Sequence, residues 1–144
     1  MFFTIDKNCK FVCLSNQQIM ERRISLAGRL SEVLLDGTWI ANTNFKAQLL
    51  SLNFGQATHQ IGSVNTIAAL TFHINYYLEG ILNVFHGGKL EIRDECSFDL
   101  PPITSESQWK VMVDTFIANS EAFVRAVGAL PDQMLDQPFV QEKY

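Results

Sequence analysis

Long apolar runs are missing from this 144-residue chain, and none of its stretches approaches the ~18 uninterrupted apolar residues that a membrane-spanning helix needs. The opening Met1-Phe2-Phe3 passes at once into Asp6 and Lys7, without the basic start, apolar core and small-residue cleavage pattern of a secretory signal. Both absences point to a cytoplasmic protein with no membrane partner. Basic charge is scarce as well. Lys and Arg total 11 against 15 Asp and Glu, the formal net charge is −4, and only Arg22 and Arg23 adjoin one another. Phosphate-driven binding of nucleic acid gains nothing from that balance. Cysteine is confined to Cys9, Cys13 and Cys96, an odd number in a chain without an export signal, so at least one thiol stays free or pairs between chains. Cys9 and Cys13 also lack the second cysteine pair or nearby histidine of a zinc knuckle. No P-loop, glycine-rich dinucleotide turn, nucleophile elbow or HExxH motif occurs.

What the chain does have is helical periodicity. Its 47% hydrophobic and 18% charged residues are those of an ordinary folded protein, and the length suits one domain with one core. Residues 1–14 are apolar around a polar Asp6-Lys7-Asn8 centre and form an N-terminal arm, either a short hairpin or a loose segment. Residues 15–144 make one helical bundle domain. Ser15 and Gln18 have the spacing of a capping box. The helix that follows places Met20, Ile24, Ala27, Leu30 and Leu34 on one side and stops near Asp36-Gly37. A short helix is predicted from Phe45 to Leu52, with a turn at Asn53-Phe54-Gly55. The second long helix is predicted to be capped by Ser63 and to end at Gly87-Gly88. The third follows Pro101-Pro102, capped by a Ser105–Gln108 box, and runs through Trp109, Met112, Val113, Phe116, Ile117, Phe123, Val124 and Val127 to Gly128.

Linker length separates topologies. Residues 87–104 are too many for a tight connection between antiparallel helices, and they suffice to span a helix roughly 30 Å long. The second and third helices are therefore expected to run parallel, joined by a long crossover. After Gly128, Leu130-Pro131-Asp132 reads as a turn into a short helical segment near Leu135. Three wide apolar stripes ask for a fourth partner, which the chain does not clearly contain: either another subunit covers the groove, the N-terminal arm folds over it, or the chain is a shortened four-helix protein, and an uncovered groove promotes association into a homodimer.

The most informative side chain is His73. Leu70, His73, Tyr77, Gly80 and Ile81 share one stripe at spacings of three and four, with Thr71, Asn75 and Glu79 pointing elsewhere. A histidine on a buried stripe needs partners for its nitrogens, either hydrogen-bonding groups or a metal ion. Gly80, inside the helix, costs roughly 1 kcal/mol against alanine, which favours close packing over an open substrate space. His86 is read as a helix C-terminal residue suited to the macrodipole. Glu91, Asp94 and Asp99 in the crossover are read as solvated or capping carboxylates.

The run Asn65-Thr-Ile-Ala-Ala-Leu-Thr-Phe-His73-Ile-Asn-Tyr-Tyr77, the crossover Gly87-Gly88-Lys-Leu-Glu-Ile-Arg-Asp94, then Ser97-Phe-Asp-Leu-Pro-Pro-Ile103 and Trp109, resembles the DinB-like superfamily of small bacterial four-helix bundles. The resemblance covers about residues 19–144. It implies an all-α DinB-like bundle in which the helix-two histidine joins an HxxxH pair on the fourth helix to hold a divalent metal (Zn, Ni or Fe). By that resemblance His73 is the first ligand. The sequence ends at Tyr144, about where the fourth helix and its histidine pair would follow, so the fourth helix is absent or truncated and the metal site is incomplete in this chain. His86 lies thirteen residues along the same helix, ~20 Å away at the standard rise, too far to share one ion. His59 precedes the helix and nothing supports it as a ligand. The implied function is metal-dependent thiol chemistry on a small thiol substrate, as a thiol transferase or related hydrolase or isomerase. The alternative is a metal-free dimeric structural or interaction bundle without catalytic activity.

Overall fold

The computed structural model describes residues 22–38 and 41–140, and among them the fold is all-α, with no strand. The predicted Ser15–Gln18 cap, Met20, Cys9 and Cys13 lie outside the described residues. Helix α1, residues 22–31, continues without a break into a π-helical turn, Glu32–Asp36, closed by a bond from the Gly37 amide to the Glu32 carbonyl at 3.1 Å. The wider turn brings two consecutive leucines, Leu34 and Leu35, into the core. Ile24, expected inside, is 59% exposed, whereas Ala27 and Leu30 on the same face are half-buried.

Two short helices follow. Helix α2, Phe45–Leu50, is capped by Asn44, whose side chain accepts from the Ala47 amide at 2.8 Å. Where a turn was predicted at Asn53, a second short helix forms instead: α3, Phe54–Ala57. Its cause is local, a complete capping box in which Asn53 accepts from the Gln56 amide and Gln56 accepts in return from the Asn53 amide. Helix α4, Ile67–Phe85, begins later than predicted, because Thr66 rather than Ser63 caps it through the Ala69 amide. It ends as expected, with His86 at the C-cap and Gly87 left-handed at φ +86. Helix α5, Glu106–Gly128, is capped by Ser105. The other half of the predicted box is displaced, since the Gln108 side chain accepts from Thr104 and not from the Ser105 amide.

Side-chain pairs give the directions. Asn119 donates to Asn75 and to Glu79, and farther along Phe85 packs on Phe123 with ring centroids 6.0 Å apart. Residue numbers rise together on both helices, so α4 and α5 are parallel, the arrangement the long crossover allows. Helix α1 runs the other way. Arg23 near its start donates to the Gly128 and Leu130 carbonyls at the end of α5, while Leu34 and Leu35 at its end join Trp109, Val113 and Phe116 in the core. The short helices close that end. Phe45 lies 6.0 Å from the Phe116 ring, and the Trp109 indole donates to the Leu52 carbonyl at 2.9 Å. The segment after α5 forms a 3-10 turn, Asp132–Asp136, held to α1 by an exposed Arg22–Asp136 ion pair at 3.0 Å.

Candidate functional site

Helix α4 is covered on two sides. Its most deeply buried residues are Ala68, Thr71, Leu78 and Leu82, whereas His73, Tyr77, Gly80 and Ile81 are only half-buried and Leu70 is 45% exposed. At 3.6 residues per turn, His73 stands roughly 175° around the helix from the centre of the core stripe. The expected assignment of faces is therefore corrected: Thr71 turns inward and its hydroxyl bonds back to the Ile67 carbonyl at 2.8 Å, while the stripe of His73 meets the crossover instead of neighbouring helices. Alternation of apolar residues on nearly every face of α4 hid the distinction, because a helix apolar all round has no unique inner stripe.

The crossover lies back along α4 in register. Ile92 fills the space at Gly80, where an added Cβ would sit only 2.8 Å from the Ile92 Cδ1; the glycine serves close packing. One turn earlier, the Arg93 amide donates to the Tyr76 hydroxyl at 2.9 Å, and the Tyr77 hydroxyl donates to the Asp94 carboxylate at 2.5 Å. That bond to Asp94, helped by burial, raises the Tyr77 pKa above the ordinary phenol value. A 3-10 turn, Asp94–Cys96, follows, fastened by the buried Ser97 hydroxyl donating to the Asp94 carbonyl. Phe98 emerges from this turn onto the imidazole of His73, with ring centroids 4.2 Å apart and planes 15° from parallel. Tyr77 meets the same imidazole edge-on at 5.0 Å.

Among the described residues the His73 side chain is thus held by rings and by no hydrogen bond. Its Nδ1 is buried without a partner, and Nε2 is not enclosed in the same way. Leaving a buried polar atom unpaired costs about 1–3 kcal/mol, so this imidazole has unused coordination or hydrogen-bonding capacity. As a test of fit for a metal, that nitrogen suits one ligand position. No group of three His, Cys, Asp or Glu able to hold an ion occurs among the described residues. His59 and His86 are exposed, Asp94 is engaged by Tyr77, and Cys96 is a half-buried free thiol. Glu91 and Asp99 are exposed, as expected.

A second feature lies near the start of α4. Val33, Phe45, Leu49, Leu52, Ile67 and Leu70 line an apolar cleft of about 370 Å³ between α1, α2 and α4. Its polar rim is self-satisfied, because the Gln48 amide donates to Thr43 and Asn44 bonds to the Gly37 carbonyl and the Ala47 amide.

The molecule so described is an all-α bundle with an antiparallel first helix, a parallel α4–α5 pair and a strap-like crossover. No helix among the described residues is long and apolar enough to cross a membrane. Comparisons of the chain with family models, with curated proteins and with solved structures found no match.

Proposed function

We propose that the chain is a DinB-like bundle in which His73 supplies one ligand of a divalent-metal site, and that its chemistry is of the thiol-transfer or thiol-dependent isomerase or hydrolase kind. The observation that carries this reading is the imidazole of His73, fixed by two aromatic rings while neither nitrogen has a hydrogen-bond partner among the described residues. Packing alone does not require an imidazole there; phenylalanine would fill the same space without an unpaired nitrogen. The long crossover and the parallel α4–α5 pair agree with the resemblance that motivates the assignment. A divalent ion, when bound, lowers the pKa of a coordinated thiol and so generates the nucleophilic thiolate. This chain's own share is to present an imidazole in a set orientation, with Tyr77 and Phe98 restricting its rotation. Metal analysis of purified protein beside His73→Ala tests the assignment. The substitution should weaken zinc or nickel binding by more than roughly tenfold, since loss of even a supporting contact costs that order. Equal metal content in both proteins removes His73 from the site.

The cleft beside Leu70 favours a second reading, a metal-free dimeric bundle. Ile67, Leu70 and Phe45 remain 39%, 45% and 38% exposed around it, the kind of contiguous apolar surface that promotes association. Light scattering separates the readings. A dimer whose mass is unchanged by chelator supports the interaction bundle, and assembly that requires added metal opposes it.

A further inference from the structure

The register between crossover and α4 lays one crossover side chain on the imidazole. Ile92 sits at Gly80, Arg93 at Tyr76, Asp94 at Tyr77 and Phe98 at His73. From Ile92 to Phe98 the strap thus runs back along the helix from Gly80 to His73. The first three pairs are anchors, one of steric fit and two of hydrogen bonds. The fourth differs in kind. Phe98 makes no hydrogen bond through its side chain, is 43% exposed, and is nevertheless laid flat against the imidazole by the turn Asp94–Cys96 and its buried Ser97. An exposed phenylalanine costs hydration that a polar residue in the same turn would avoid. Stacking on His73 is its one close ring contact among the described residues.

We propose that Phe98 is the cover and orienting face of His73: it shields one side of the imidazole, fixes the ring with Nδ1 inward, and leaves an incoming group to approach from the Nε2 side. Phe98 is in this sense a positioning residue, acting through His73. The Tyr77–Asp94 bond is the latch that keeps the cover in place, because it ties the helix residue next to His73 to the first residue of the turn that carries Phe98. The role rests on His73 being the working residue of this face. Its test uses no metal, so the cover and the metal assignment fail separately.

Diethylpyrocarbonate, which acylates unprotonated imidazole nitrogens, provides the measurement, with sites and rates read by peptide mass spectrometry. His59 and His86 are exposed and serve as references within the same molecule. In the unaltered protein His73 should label more slowly than either. In Phe98→Ala its rate should rise roughly fivefold, the order expected when one aromatic stacking contact is lost, while His59 and His86 keep their rates. Tyr77→Phe, which breaks the latch but leaves Phe98, should produce a smaller rise at His73 alone. Should Phe98→Ala fail to fold by circular dichroism, Phe98→Leu decides in its place, since it retains apolar bulk without the flat ring. A rise confined to His73 supports the cover. An unchanged His73 rate in the folded variant, or labelling of His73 in the unaltered protein as fast as His86, overturns it.

Discussion

Replacing Phe116 by alanine should lower the free energy of unfolding by about 3–5 kcal/mol, the range for deleting a buried aromatic side chain. Phe116 is 0% exposed and lies at the centre of the core. Its ring is approached by Phe45 from α2, and it shares the buried face of α5 with Trp109, Val113 and Val127. The expected cost has two parts, the lost transfer of the ring from water and the cavity left where three elements meet. Neighbours on rigid helices collapse poorly into such a space, which places the loss toward the upper end. Urea unfolding monitored by circular dichroism measures it. A loss below ~1 kcal/mol, the centre of the distribution for point substitutions at large, would mean that Phe116 is not where the bundle closes.

The second large effect concerns the end of α1. Gly37→Ala should destabilise the protein by about 1–3 kcal/mol, as overpacking typically does. A Cβ at Gly37 would lie 2.5 Å from the carbonyl oxygen of Glu32 and would also press on the Glu32 Cα. The obstructing atoms belong to backbone inside the π-helical turn, so no rotamer change relieves them. The usual gain of roughly 0.4–1 kcal/mol from a less flexible unfolded chain is too small to offset that clash. Relief requires the turn to rewind, which would move Leu34 or Leu35 out of the core. The midpoint of urea unfolding should fall accordingly; an unchanged or raised midpoint would show that the wide turn is not held by this glycine.

Much of the bundle was legible because its signals are local. Ser105 and the run from Trp109 to Val127 define α5 on their own, and Gly87 ends α4 through a backbone state that glycine adopts freely. Asn53 and Gln56 also carried a local signal for α3, one overlooked beside the stronger turn signal of Asn53-Phe54-Gly55. The π turn was not legible. Whether a helix closes to the fourth or the fifth carbonyl depends on what Leu34 and Leu35 meet in the core, and periodicity averages over that difference. The start of α4 was ambiguous because Ser63 and Thr66 are both competent caps, and only the path of the preceding loop chooses between them.

The candidate site divides in the same way. His73 was singled out by its residue type on an apolar helix, and Tyr77 by its spacing one turn away. Phe98 was not, because its contact with His73 is set by how residues 87–104 lie on α4, a non-local fact with no periodic trace. Gly80 offered the nearest clue: a glycine in mid-helix signals close approach, and the approaching partner is the crossover residue Ile92. The face assignment failed for a related reason. With apolar side chains on both the core side and the strap side, α4 has two insides.

Parallel alignment of α4 and α5 also bears on how the chain reaches this state. Antiparallel neighbours can zip outward from a tight hairpin, whereas these two helices can align only after the intervening linker has been threaded back along the first. Closing so wide a loop costs entropy before any contact between the pair repays it, and native contacts at long sequence separation slow the search. Strap residues that pair with α4 shorten that wait, since each one seated brings the start of α5 nearer its berth.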